Sequence, residues 1–133
     1  LLSGANPSKR VQELRSEHVT VSGWVDDIRF SYQRSRIFVA PLFIGTGLQN
    51  KLLEAMASGL PCITTSLCNN ALGGTNGINI LLAEDIDTFV EKITEGLVIE
   101  SNFSSIAEQG KHYIDGLYSW EKQPQKLLRI LHS

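Results

Sequence analysis

The sequence predicts an α/β fold, a mainly parallel sheet with helices on both faces, and three observations carry that prediction. Short β-branched or apolar runs alternate along the chain with segments of helical periodicity, the pattern of β-α-β units. One run, Ile37-Phe38-Val39-Ala40, is apolar without interruption, as expected of a strand covered by helices on both sides. A glycine-bearing loop, Ile44-Gly45-Thr46-Gly47, then feeds a segment of strong helix formers from Lys51 to Ser58, which Gly59 and Pro61 close.

Taken in order, Leu1-Leu2-Ser3-Gly4 reads as the tail of a strand, so the chain is expected to be part of a longer polypeptide. Asn6-Pro7-Ser8 supplies a capping residue and a first-turn proline for a helix that bears Val11 and Leu14 and ends near Ser16. Val19-Thr20-Val21-Ser22 is a short strand, Gly23 turns the chain, and Asp26 or Asp27 caps a helix from Ile28 to about Arg34. In the central helix Leu52, Leu53, Met56 and Ala57 are placed to cover one face, and Pro61 to Thr65 forms the next strand. Ser66 to Asn76, rich in Gly, Asn and Ser, is expected to be an exposed, mobile loop at the ligand-binding edge of the sheet. Gly77 to Leu82 reads as a last strand. Asp85 or Asp87 caps a helix with Phe89, Ile93 and Leu97 on one face. The next helix runs from about Phe103 to Leu117 with Ile106, Tyr113 and Ile114 inward. A final helix after Ser119 has Leu127, Leu128 and Leu131 as its apolar side, and Pro124 kinks it or delays its start.

The 133 residues, 42% hydrophobic and 20% charged, suit one soluble globular domain, and no boundary is placed within them. A formal net charge of -2 offers no basic field for nucleic acid. No apolar run reaches membrane-spanning length. Cys62 and Cys68 have no Cys or His partner at metal spacing, and Cys62 reads as a reduced core thiol, all of which suits a cytoplasmic chain. His18, His112 and His132 sit in no motif and read as surface or packing residues. Arg29, Arg34 and Arg36 read as a solvated face. The absence of a Gly-x-Ser-x-Gly elbow and of a Gly-Lys-Ser/Thr loop argues against hydrolases and NTPases.

Chemistry concentrates in the central loop and helix. Gly45 and Gly47 let the backbone take φ > 0 and let a ligand approach closely. A helix start presents N–H groups and the positive end of the dipole, which suits an anion such as a diphosphate. Glu54, in the first turns of the helix, could hold vicinal sugar hydroxyls. Spacing alone leaves a second reading open, since glycine turns before helices are common and a first-turn Glu is favoured by the dipole without any ligand.

Asn50-Lys51-Leu52-Leu53-Glu54-Ala55-Met56-Ala57-Ser58-Gly59-Leu60-Pro61 resembles the donor-site segment of family-4 glycosyltransferases, retaining enzymes with the two-domain GT-B fold. Gly23-Trp24-Val25-Asp26-Asp27 is similar to the glycine loop after that family's third C-domain strand, and Arg36-Ile37-Phe38-Val39-Ala40-Pro41 to the strand before the donor loop. Tyr118-Ser119-Trp120-Glu121 is similar to the signature opening the last helix. The resemblance implies a Rossmann-like donor-binding C-terminal domain lacking its first β-α unit, which carries an Arg and a Lys for the phosphates and a central strand. It implies that Gly23, Trp24 and Val25 lie under the nucleobase, using mostly backbone contacts. Gly45, Thr46, Gly47, Leu48, Gln49 and Asn50 would face the diphosphate and sugar, and Glu54 would hold the ribose hydroxyls. Lys51 reads equally as a phosphate-neutralising cation and as a solvated lysine.

The donor is then a nucleotide sugar, with no metal or other cofactor required. The acceptor, a sugar or lipid, is bound by a domain outside this sequence. The parent enzyme is cytoplasmic or peripheral to the inner face of a membrane. The fragment alone is expected to be inactive and open to self-association. The sequence departs from the family where Thr46 stands in place of a Glu that contacts the donor sugar. That departure motivates the alternative of a non-catalytic nucleotide-binding or interaction module. A sugar-nucleotide epimerase ranks below both, and a dinucleotide oxidoreductase lower still, because no Gly-x-Gly-x-x-Gly follows a first strand.

Overall fold

The computed structural model describes residues 1–45 and 48–118. Thr46, Gly47, His132 and the helix expected after Ser119, with Pro124 and its leucines, lie outside the described residues. The chain divides into two compact units, Leu1–Arg34 and a larger one from Ser35 onward.

In the first unit β1 (Leu2–Ser3) pairs in parallel with β2 (Val21–Ser22), Leu2 opposite Val21. Between them lies α1 (Lys9–Gln12), and Ser8 rather than Asn6 is its N-cap, the Ser8 hydroxyl accepting from the Val11 N–H. Pro7 therefore precedes the cap instead of opening the helix. The helix is one turn long and stops short of Leu14, which is exposed, and of the expected end near Ser16. The helix α2 (Ile28–Gln33) follows β2 and is capped by Asp27, whose carboxylate accepts from the Arg29 N–H. Bonds from the Arg29 side chain, and then from its backbone, hold the Asp27 carboxyl below the usual carboxylate range.

The second unit is built on a three-stranded parallel sheet in the order β3 (Phe38–Ala40), β4 (Cys62–Thr64), β5 (Leu81–Leu82). Phe38 pairs with Cys62 and Ile63 with Leu81. β4 is central, and all of Cys62, Ile63 and Thr64 are buried, as a strand covered on both faces requires. The core gathers Ile63, Leu81 and Ala83 from the sheet region with Phe89, Phe103 and Ile106 from the helices. Burial pushes the Cys62 thiol pKa far up, so that sulfur behaves as a small hydrophobe.

Two helices border the sheet's connections. The first, α3 (Asn50–Ala57), joins β3 to β4, and α4 (Ser66–Leu72) joins β4 to β5. The buried face of α3 is Leu52, Ala55 and Met56, so Ala55 takes the place expected for Ala57, which is exposed. The segment expected to be a mobile loop after Thr65 is instead helical through Leu72. Thr65 caps it, Cys68 and Leu72, four residues apart, give it a buried face, and Gly73 ends it in the left-handed conformation.

The chain continues through α5 (Ile86–Val98), capped by Asp85, into α6 (Glu100–Tyr118). Phe89 faces inward and Leu97 outward, while Phe103, Ile106 and Ile114 bury one side of α6. The Tyr113 hydroxyl lies 2.9 Å from the carbonyls of Leu72 and Gly73, tying α6 to the end of α4. No helix among the described residues is long and apolar enough to cross a membrane.

Helix α6 packs on α3 through Gly110. A Cβ at that position would stand 2.8 Å from the Asn79 carbonyl oxygen and 3.4 Å from the Met56 methyl. Glycine-to-alanine exchange in a helix interior ordinarily stabilises by about 1 kcal/mol. Here the clash is with backbone, so Gly110→Ala should lower unfolding stability by about 1–3 kcal/mol in urea titration; a gain would show that α6 does not seat this closely. The Asp85 carboxyl is held below its usual range first by the Thr88 N–H and then by the Thr88 hydroxyl. Its unfolded pKa is the higher of the two, so the cap's contribution is present above about pH 4 and is lost as pH falls through the folded value. Thermal unfolding of Asp85→Asn should accordingly lose part of the wild-type pH dependence between about pH 5 and 2.

Candidate functional site

Parallel strands end together, and the segments leaving β3, β4 and β5 share the C-terminal edge of the sheet, the edge where open α/β sheets bind ligands. After Ala40 the chain makes a tight turn, the Leu42 N–H reaching the Ala40 carbonyl at 2.9 Å. Phe43 then sets its ring edge-to-face against Phe89, centroids 6.1 Å apart, while Ile44 is 91% exposed. Gly45 follows with φ +134°, a value that side-chain-bearing residues rarely adopt.

Two buried hydroxyls of β4 and its end hold this exit. The Thr64 hydroxyl donates to the Ala40 carbonyl at 3.0 Å, and that of Thr65 to the Leu42 carbonyl at 2.7 Å. Thr65 also caps α4, accepting from the Cys68 N–H at 3.4 Å. One residue on, Ser66 gives its N–H (3.0 Å) and its hydroxyl to the Glu84 carboxylate beyond β5. Three exits from the sheet are thus knitted at Thr65 and Ser66. Sequence reasoning missed Thr65, Ser66 and Glu84; the Thr-Ser pair ahead of Cys68 and Leu72 was the available capping signal.

Helix α3 starts differently from its neighbours. Ser8, Asp27, Thr65 and Asp85 cap their helices with side chains, whereas Gln49, the N-cap of α3, makes no side-chain cap bond. Its first turn holds no acid and does hold Lys51, a cation at the positive end of the dipole. Glu54 is not a first-turn residue but lies one turn further in, beyond the reach of the dipole, so the dipole does not account for it. Its side chain, 43% exposed, pairs with Lys51, 66% exposed, at 3.4 Å. At the other end Gly59 (φ +78°) sends its N–H to Met56 and Leu60 sends its own to Ala55, the two bonds of a Schellman stop.

Of the residues singled out from the sequence, Gly45, Leu48, Gln49, Asn50, Lys51 and Glu54 lie along this one loop and helix, exposed but for the half-buried Gln49. Gly23, Trp24 and Val25 lie between β2 and α2 in the first unit, Trp24 being 76% exposed and Val25 half-buried. Thr46 and Gly47 lie outside the described residues. Arg29 and Arg36 are exposed and paired with Asp27 and Glu100. His18 and His112 are exposed. Among the described residues no three His, Cys, Asp or Glu side chains cluster at metal-binding distance.

Residues 1–98 match the family model described as "Glycosyl transferases group 1". Among solved structures the chain is similar to Anabaena HepE, crystallised in complex with UDP and glucose. The identity is 15% and the TM-score 0.76, over 88% of this chain and 32% of that one. It is also similar to sucrose-phosphate synthase from Thermosynechococcus elongatus, at 23% identity and TM-score 0.76, over 92% of this chain and 33% of that one. These likenesses show the fold, Rossmann-like α/β, and the chain spans about a third of the length of either protein. Comparison with curated proteins finds no match.

The conformation of Gly45 carries a direct expectation. A Cβ there would meet no atom within 4 Å, so the cost of a side chain is purely conformational. Gly45→Ala should destabilise the chain by about 1–3 kcal/mol in urea unfolding, against no loss if the loop leaves this backbone shape freely.

Proposed function

The chain belongs to the group 1 glycosyl transferases, and from that premise we propose that it is the donor-binding part of an enzyme that transfers a sugar from a nucleoside diphosphate with retention of configuration. The observation that carries the reading is the start of α3, where a loop bearing Gly45, an N-cap residue (Gln49) without a side-chain cap bond and a first-turn lysine coincide. Each runs against what a helix would choose for its own stability, and local rules broken together mark functional sites. What such an end favours is negative charge, and the glycosyl donor's diphosphate supplies it. The UDP bound by HepE, a protein of the same fold, agrees with a nucleoside diphosphate as the ligand class.

In this reading the backbone around Gly45, Thr46, Gly47, Leu48, Gln49 and Asn50 faces the diphosphate and sugar. Glu54, one turn along, accepts from the ribose hydroxyls. Gly23, Trp24 and Val25 lie beneath the base. Lys51 turns from Glu54 to the phosphates, which costs little because an exposed ion pair is worth about 0–1 kcal/mol. As the bond from the anomeric carbon to the diphosphate oxygen breaks, negative charge gathers on the leaving group. The helix start and Lys51 stabilise that charge, with no metal required of the protein. The acceptor, a sugar or lipid, is held by a domain outside this chain, so the chain alone binds donor without completing transfer. A non-catalytic nucleotide-binding module is the second reading, favoured by Thr46 where the family carries a donor-contacting Glu.

Calorimetric titration of the full chain with UDP, GDP and their glucose conjugates tests the site. Glu54→Ala should weaken binding of the preferred nucleotide by about tenfold or more, the worth of a hydrogen bond to a charged group. Equal affinity in the two proteins would remove Glu54 from the ribose.

A further inference from the structure

We propose that Thr65 is a positioning residue for the loop that leaves β3, and through that loop for the start of α3. The functional part of this inference rests on the anion-site reading of α3. Thr65 is buried, 1% exposed, and a hydroxyl offers one donor and two acceptor positions. The donor is committed to the Leu42 carbonyl at 2.7 Å, and an acceptor position to the Cys68 N–H. Among the described residues the Leu42 carbonyl otherwise meets only the Cys68 thiol, at 3.9 Å, a weak donor.

Position along the loop gives this bond its weight. Leu42 is fixed on both sides, its N–H on Ala40 and its carbonyl on Thr65. Beyond it, 43–45 make no backbone–backbone hydrogen bond among the described residues, while at the start of α3 Leu52 and Leu53 bond to the Gln49 carbonyl. Thr65 thus tethers the loop at Leu42, ahead of the segment that faces the anion on the proposed reading. Thr64, one residue earlier and equally buried, holds Ala40 inside the strand pair instead. The two hydroxyls therefore divide the work: Thr64 secures the sheet, and Thr65 the departure from it. Because Thr65 also caps α4, the exits of β3 and β4 move as one piece.

The full chain as wild type, Thr64→Val, Thr65→Val and Thr65→Ser separates these roles. Valine keeps the volume and deletes the hydroxyl, and serine restores it. Amide hydrogen exchange is followed at Leu42, Leu52 and Leu53, with Ala83, bonded to the Thr64 carbonyl, as the sheet reference. Thr65→Val should speed exchange at Leu42, Leu52 and Leu53 about tenfold relative to Ala83, with Thr65→Ser within about twofold of wild type. Thr64→Val should lower global stability with that ratio unchanged, a separation that a merely structural hydroxyl would not give. UDP affinity should fall about tenfold in Thr65→Val and recover in Thr65→Ser. Equal loosening by both valine variants, or none by Thr65→Val, would overturn the proposal. Should wild type fail to bind UDP, the anion-site reading falls while the exchange ratio still decides the role of Thr65. Should Thr65→Val not fold, Thr65→Ala against Thr65→Ser reads the same ratio.

Discussion

The second unit depends on the complete burial of β4. A central strand flanked by β3 and β5 and covered on both faces has no access to water, so every polar group it carries must find a partner inside the protein. Its backbone does so through the ladder. Thr64, and Thr65 just beyond, carry hydroxyls as well, and these go to the carbonyls of Ala40, at the end of the strand beside it, and of Leu42, in the exit from that strand. No buried polar side-chain atom among the described residues is left without a partner. Satisfying burial therefore forces contact between the end of β4 and the exit of β3. Loop placement follows from the sheet rather than from the loop's own residues, most of which are exposed.

The direction of α3 follows from its C-terminal end. Gly59 and Leu60 close the helix on Met56 and Ala55, and Gly110 of α6 sits beside the Met56 methyl and so near the Asn79 carbonyl that a side chain there would clash. With that end locked and the opposite end leaving the glycine loop, the N-terminus is aimed by packing, not by a side-chain bond from its N-cap Gln49. A helix held from behind can tolerate an unfavourable beginning. A first turn that carries Lys51 behind an N-cap without a side-chain bond is the kind of beginning that stability alone would not retain.

Much of this was legible in the sequence, and the misses share a cause. The caps, narrowed to Asp26 or Asp27 and to Asp85 or Asp87, the stop at Gly59 and the apolar β3 were readable because each is a local signal, decided within a few residues. The helix after Thr65 was read as a loop because only Cys68 and Leu72 mark its inner face amid Ser, Asn and Ala. Packing of that pair, with Gly73 as a left-handed stop, outweighed a composition that favours turns. Ala55 and Ala57 exchanged roles because the approach of α6, a partner some fifty residues away in sequence, decides which face of α3 is inner. The bond from Thr65 to Leu42 spans 23 residues, and no periodicity records such a pairing. Tertiary hydrogen bonds of this kind are where single-sequence reasoning ends.

The same division bears on Thr46, where the family resemblance leads one to expect a carboxylate. A grip made of backbone N–H groups and a helix dipole does not depend on the side chains that line it. Replacing a Glu beside that grip with a neutral residue removes a negative charge from the neighbourhood of a site meant for an anion. At a few ångströms and an effective dielectric near that of a protein surface, one such charge is worth about 4 kcal/mol or less, before solvent screening. For the proposed anion site the exchange favours holding the diphosphate, while replacing a charged acceptor for the sugar by a weaker hydroxyl one. On the proposed reading, affinity in this chain resides at the start of α3 and with Glu54. Discrimination among sugars must then come from groups other than residue 46, and a nucleoside diphosphate without its sugar should already carry most of the binding energy.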